Sequence, residues 1–276
     1  MHKMKDWRKY NGALIPSLPP HIEVDTSGIR EKIKDENSFF ARWTTNFDCD
    51  EETEFWHVIC DKFIPIEDLS KNTRNNIRRG LKRCEVKKVS HKFIMENAYD
   101  LYRIAFDNYK GHLVPDSKED FLKEYETYNN KEKWDFWAVF EKESYNLIAF
   151  SRNKIEYDQC ELCTTKFHPQ YLRRFYPSEA LFYTMNQYYL DDKKLKYVND
   201  GARSISHETN IQSFFIQKFK FRKAYCKLNI IYSPNIKFIL TIIYPFKSII
   251  SLFKFGIFIK INILIFQEKI RRSYEK

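Results

Sequence analysis

The spacing of apolar residues changes along this chain, and each change marks an element. Aromatic and β-branched residues gather at Ser38–Trp43 and Glu54–Cys60, which predicts two strands. Ser70–Arg83 predicts a helix, with Ile77 and Leu81 at i, i+4 and Asp68 or Ser70 placed to cap it. Ala98, Leu101, Tyr102, Ala105 and Tyr109 form one stripe of a second helix, Phe93–Tyr109, closed by Gly111. Ser117-x-x-Asp120 opens a third, with Phe121, Leu122 and Tyr125 on its apolar face. The period then shortens to two. Trp134–Glu141, Leu147–Tyr157 and Cys160–Phe167 alternate or run apolar between polar turns, which predicts an antiparallel meander. Pro177 opens a long helix through Leu181, Phe182, Met185 and Tyr189. A short strand (Leu195–Asn199), a helix (Glu208–Lys220) and a last strand (Phe221–Tyr232) follow.

From residue 134 the order is β-β-β-α-β-α-β, which implies an α+β chain: a mixed, largely antiparallel sheet covered by helices. Residues 1–37 carry Pro16, Pro19, Pro20 and a charged run and read as an irregular lead-in. Residues 38–232 read as one domain with halves 38–133 and 134–232, and residues 233–276 as a separate tail.

Composition narrows the class. With 43% hydrophobic and 30% charged residues the chain is not disordered, and 6 Gly and 9 Pro exclude collagen-like and low-complexity classes. The N-terminus is polar and basic without an apolar stretch, so the expectation is a cytoplasmic protein with six free cysteines. Cys160-x-x-Cys163 is the one close pair, but on a strand residues three apart face opposite sides, so no metal is expected.

Lys+Arg number 47 against 37 Asp+Glu, a net charge of +10 that points to anionic partners. Lysine supplies 32 of those cations and alanine is only 9, a usage that AT-rich coding also produces, so only local clusters inform. Arg74, Arg78, Arg79, Lys82 and Arg83 gather on one predicted helix, as a solvated face or a phosphate-binding one. Lys166, Arg173 and Arg174 offer a second basic wall.

The tail is the other cluster, with eight Lys/Arg and two Glu. Ile236–Phe266 is mainly Ile, Leu and Phe, with lysines at 237, 247, 254 and 260. Its lysine-free runs of about nine residues are short of the ~20 needed to span a bilayer. It reads as amphipathic helices lying on an anionic membrane surface through residues 236–272; the alternatives are helices packed on the domain or a protein contact.

Candidate chemistry concentrates in Asp200-Gly201-x-Arg203-Ser204-x-x-His207. Acyl transfer to an amine needs a proton acceptor, donors for the oxyanion and a proton for the leaving group. His207 or Asp200 suits the first, Gly201 lets backbone approach a ligand, and Arg203 can hold an anionic group. The plain alternative is a turn at Asp200-Gly201 followed by a helix cap at Ser206 or Thr209. No Walker loop, GxGxxG, HExxH or GxSxG is present.

Two blocks then carry a resemblance. Ser70-Lys71-Asn72-Thr73-Arg74-Asn75-Asn76-Ile77-Arg78-Arg79 is similar to an R-x-x-I-R-R helix, and Asn199-Asp200-Gly201-Ala202-Arg203-Ser204, His207, Thr209-Asn210, Phe214 and Phe221–Tyr225 to a closing strand-loop-helix-strand. Over residues 38–232 the chain resembles the GNAT-type acyltransferases, and within them the FemAB-like branch of peptidoglycan-bridge aminoacyltransferases and surface-polysaccharide cluster proteins. The resemblance implies an acyl or aminoacyl transferase acting on an amino group of a cell-envelope polysaccharide or peptidoglycan precursor. It implies Asp200, Arg203 and His207 as catalytic groups and Arg74, Arg78, Arg79, Gly201, Ser204 and Asn210 as substrate or donor contacts. It implies acyl-CoA or aminoacyl-tRNA as the donor and a lipid-linked sugar or peptide, at the inner face of the membrane, as the acceptor. Phe167–Pro177 departs from the glycine-rich loop that holds the CoA pyrophosphate, having no glycine and two prolines. The chain also lacks the coiled-coil arm that FemAB-like enzymes often use for tRNA. The rival readings are an inactive GNAT-fold scaffold of a membrane-associated complex and a basic RNA-binding protein.

Overall fold

A computed structural model of the chain describes residues 6–106, 114–129, 132–205, 210–253 and 255–275. In chain order the strands are β1 (Trp7–Tyr10), β2 (Ala13–Pro16), β3 (Phe40–Thr45), β4 (Trp56–Cys60), β5 (Cys84–Val89), β6 (Trp134–Glu141), β7 (Leu147–Glu156), β8 (Gln159–Phe167), β9 (Tyr197–Ala202), β10 (Arg222–Tyr225) and β11 (Lys227–Tyr232). The helices are α1 (Ile29–Asp35), α2 (Lys71–Arg83), α3 (His91–Asn97), α4 (Tyr99–Phe106), α5 (Lys118–Glu126), α6 (Pro169–Phe175), α7 (Pro177–Asn186), α8 (Ile211–Phe219), α9 (Pro234–Ile243), α10 (Lys247–Ile250) and α11 (Ile257–Arg272). Two compact units result: Met1–Val58 with Ala202–Asn210 and Lys223–Lys276, and Ile59–Gly201 with Ile211–Arg222.

The first unit holds a four-stranded sheet in the order β1-β2-β3-β11. The stretch expected to be irregular contributes two of its strands and α1. Asn11 (φ 48°) and Gly12 (φ 78°) turn β1 into β2, the two-residue hairpin that positive φ at both positions permits. The prolines do not break the stretch, because Pro16 ends β2. Ile29 and Ile33, one helical turn apart, pack with Trp7, Leu14 and Ala41.

The final strand expected over Phe221–Tyr232 is two strands in two sheets. The chain breaks at Cys226, a buried corner whose N–H donates to the Phe55 carbonyl at 3.0 Å. β11 then pairs antiparallel with β3, and Leu228 joins Phe55, Cys226 and Ile270 of α11 in one apolar cluster. The tail is therefore partly core. Ile265, Gln267, Glu268 and Ile270 are buried, and Arg42 donates to Gln267 Oε1 at 3.2 Å. Burial opposes ionisation of Glu268, but Arg271, Arg272 and the Tyr232 hydroxyl all donate to it and hold its carboxyl below the usual range.

The larger sheet has the order β10-β4-β9-β8-β7-β6-β5. Its β6-β7-β8 meander is antiparallel, as the alternation implied, and β9 runs parallel to β8 with Cys160 opposite Val198. The predicted helix over Phe93–Tyr109 is broken at Ala98 into α3 and α4; Tyr109 and Gly111 lie outside the described residues. Ala98, Leu101, Tyr102, Phe121 and Tyr125 pack against Phe136 and Phe150 of the meander. Ser70 caps α2, accepting from the Thr73 N–H at 3.3 Å. On the same helix Gly80 lies against α7: a Cβ there would sit 2.7 Å from the Tyr176 carbonyl oxygen and 3.1 Å from the Ala180 Cβ.

Candidate active site

β9 was expected to stop at Asn199, but its strand continues through Asp200 and Gly201 to Ala202. Asn199 is buried, and its Oδ1 accepts the Gly201 N–H at 2.8 Å. That bond fixes Gly201 at φ 99°, where a side chain would be strained. Asp200 between them is half-buried, but its Oδ2 is sealed from solvent and has no hydrogen-bond partner among the described residues. Desolvation disfavours the carboxylate and pushes the group up to about 7. A carboxyl so placed exchanges a proton near neutral pH, the property wanted of an acid–base group.

Arg203, in the first unit, is already engaged. Its N–H donates to the Trp56 carbonyl at 2.7 Å, and its Nη1 donates to the Glu54 carbonyl and to Glu54 Oε2, the latter at 2.9 Å. The guanidinium stacks 4.5 Å from the Trp56 ring centroid. Lys223 Nζ lies 4.0 Å from the same ring. Trp56 and Lys223 escape the sequence reading because β4 and β10 lie far apart in the chain and meet only through pairing. The Arg203–Glu54 pair leaves the Lys223 ammonium as the second cation of this cluster. Ser204 is half-buried beside Arg203, and Asn210 is exposed just ahead of α8. His207 lies outside the described residues.

In the second unit, α2 presents its cations outward. Arg74 donates to the Glu67 carbonyl at 2.9 Å, and Arg78 is 3.9 Å from the Glu67 carboxylate, both charges exposed. Arg79, Lys82 and Arg83 are exposed too. Arg83 donates to the Arg174 carbonyl at the end of α6, which joins Arg173 and Arg174 to the same basic surface. Lys166 instead lies 4.1 Å from the Phe106 ring.

The connection from β8 to α7 is short helix α6, then Tyr176 in the left-handed region (φ 54°). Its first helical residue in α7, Pro177, has no N–H to offer. Glu179 is buried in the first turn, and its carboxyl accepts from Asn76 at 3.3 Å and from the Ser178 hydroxyl at 2.7 Å. A buried carboxyl thus lies in the first turn of α7, on a residue that adds negative charge near that helix terminus.

The arrangement matches known folds. A crystal structure of FemX superposes at a TM-score of 0.61 with 10% identity, over 86% of this chain and 85% of that one. The chain shares the fold of FemX. L-PGS from Bacillus licheniformis follows at TM-score 0.51 and 13% identity, over 85% of this chain and 83% of that one. The C-terminal domain of a putative lysylphosphatidylglycerol synthetase from Agrobacterium fabrum gives TM-score 0.51 and 10% identity over the same shares. No protein-family model matches the chain, and no curated protein matches its sequence.

Proposed function

We propose that this chain is an aminoacyl transferase of the cell envelope. It moves an aminoacyl group from the ester end of a tRNA onto an amino group of a surface-polysaccharide or peptidoglycan precursor. The observation that carries the reading is Asp200: a carboxyl at a strand end with one sealed, unpartnered oxygen among the described residues and a proton affinity near neutrality.

The chemistry follows from that group. The acceptor amine attacks the ester carbonyl, and a C–N bond and a tetrahedral oxyanion form. Asp200 as carboxylate takes the proton the amine sheds. The ester C–O bond breaks, and the proton held by Asp200 passes to the departing ribose oxygen. The exposed cations of α2 and α6 supply a surface for the phosphates of the donor RNA.

Two observations favour an RNA-borne donor over acyl-CoA. The β8–α7 connection lacks a glycine turn, and Glu179 places a buried carboxyl in the first turn of α7, where it opposes a second anion. The fold shared with a putative lysylphosphatidylglycerol synthetase supports an aminoacylated envelope component as product.

A donor-discharge assay tests the reading. Purified chain is given either a mixed pool of radiolabelled aminoacyl-tRNAs or radiolabelled acetyl-CoA, with lipid-extracted envelope precursors as acceptor. Label should leave tRNA for the lipid phase and acetyl-CoA should stay intact. Acetyl transfer would overturn the donor assignment, and discharge of neither donor would favour a non-catalytic scaffold.

A further inference from the structure

Apolar exposure on this chain is concentrated in one place. Of the 17 large hydrophobic side chains exposed among the described residues, ten lie between Phe238 and Ile259, on α9, α10 and the start of α11. Leu252 is 76% exposed, Ile257 69% and Phe238 68%. The last turns of α11 are core, so the helix that carries part of this face is itself anchored in the first unit. A patch of this kind marks an interaction site.

Charge says what covers it. From Ser233 to Gln267 the sequence has no Asp or Glu, but lysines at 237, 247, 254 and 260. Protein interfaces favour Tyr, Trp, Phe and Arg and avoid Lys, so the Phe residues suit either cover and the lysines decide against a protein. Between Pro245 and Ile265 there is no Tyr, Trp or Arg, only Ile, Leu and Phe with interspersed Lys, Ser, Asn and Gly. A second copy would bring like charges together. A lipid surface suits both features: branched chains and rings sink below the headgroups while lysine stems carry their ammonium groups back to the phosphates. Between α10 and α11 a cavity of about 630 Å³ is lined by Ile259, Ile263 and Phe266, with Lys247 and Lys269 in its wall. It offers apolar room for an acyl chain with cations for its phosphate. None of this amounts to a span. α11 has 16 residues, and among the described residues no helix is long and apolar enough to cross a membrane.

We infer that the face formed by residues 237–260 docks this chain peripherally on an anionic phospholipid bilayer. The inference rests on these residues alone and stands apart from the transferase reading.

Vesicle co-sedimentation of the full chain tests it, with phosphatidylglycerol-containing vesicles against pure phosphatidylcholine. Binding should favour the anionic vesicles, weaken in molar salt and persist in part, since only the electrostatic share is screened. Leu252→Ser with Phe255→Ser should cut binding to both vesicle types by about tenfold or more without lowering the melting temperature, because both side chains are exposed. Lys247→Gln with Lys260→Gln should weaken binding to anionic vesicles by roughly 30-fold and leave phosphatidylcholine unaffected. Failure to bind phosphatidylglycerol vesicles at low salt would overturn the inference. So would a dimer in light scattering that the Leu252→Ser, Phe255→Ser pair dissociates, since the face would then be a contact between copies.

Discussion

Asp200 is where chemistry and stability pull in opposite directions. In an unfolded chain its carboxyl ionises near 3.8; in the fold, desolvation raises this to about 7. Between those values the folded state holds a proton that the unfolded state has lost. Stability contributed by the neutral form is therefore lost as pH rises from 4 to 7. Asp200→Asn removes the titration while keeping the shape. Denaturant unfolding should find the variant and wild type alike near pH 4, and the variant more stable near pH 8 by on the order of 4 kcal/mol. A variant that is less stable at pH 8 would mean the ionised carboxylate has a stabilising partner. The sequence gives this residue's type and its place after a strand. It does not reveal the desolvation, which comes from chain segments folded around it. Arg203 shows the same limit: its spacing from Asp200 is legible, but its pairing with Glu54 and stacking on Trp56 depend on a strand about 150 residues away.

Elements announced themselves when they had a period, a cap or both. The meander strands and Ser70- and Ser117-capped helices form where the pattern places them. α6 was missed because seven residues with no buried side chain leave no periodic stripe. β10 and β11 read as one strand because both are β-prone and only tertiary pairing at Cys226 separates them. Gly80 was equally opaque: mid-helix glycine is costly in itself, and its reason lies on α7. Alanine there would gain about 1 kcal/mol of helix propensity. The new Cβ would meet the Tyr176 backbone oxygen at 2.7 Å, and overpacking costs typically 1–3 kcal/mol. Because backbone rather than a flexible side chain blocks it, the steric term wins. Gly80→Ala should lower the urea midpoint, and a raised midpoint would show that α2 and α7 are less closely packed than described.

At the scale of the molecule, the excess charge of +10 is spent in two separate places. One is the lysine-studded tail, the other the exposed arginines of α2 and α6. The sequence showed both clusters; it could not show that Arg83 ties the two helices into one basic surface or that the last turns of α11 are buried. If that surface holds the donor, Arg79→Glu with Arg173→Glu should weaken tRNA binding and reduce the salt dependence of log K by about one per removed contact. Filter binding across a salt series reads this directly, and an unchanged slope would place the RNA elsewhere. The central claim, that Asp200 accepts the proton during aminoacyl transfer, is tested by single-turnover rates from preloaded aminoacyl-tRNA across pH. Wild type should rise with pH and level off above about 7, the value of the Asp200 carboxyl. Asp200→Asn should lie roughly 10²–10⁴-fold lower and lose that inflection. Superimposable wild-type and Asp200→Asn profiles would contradict the account.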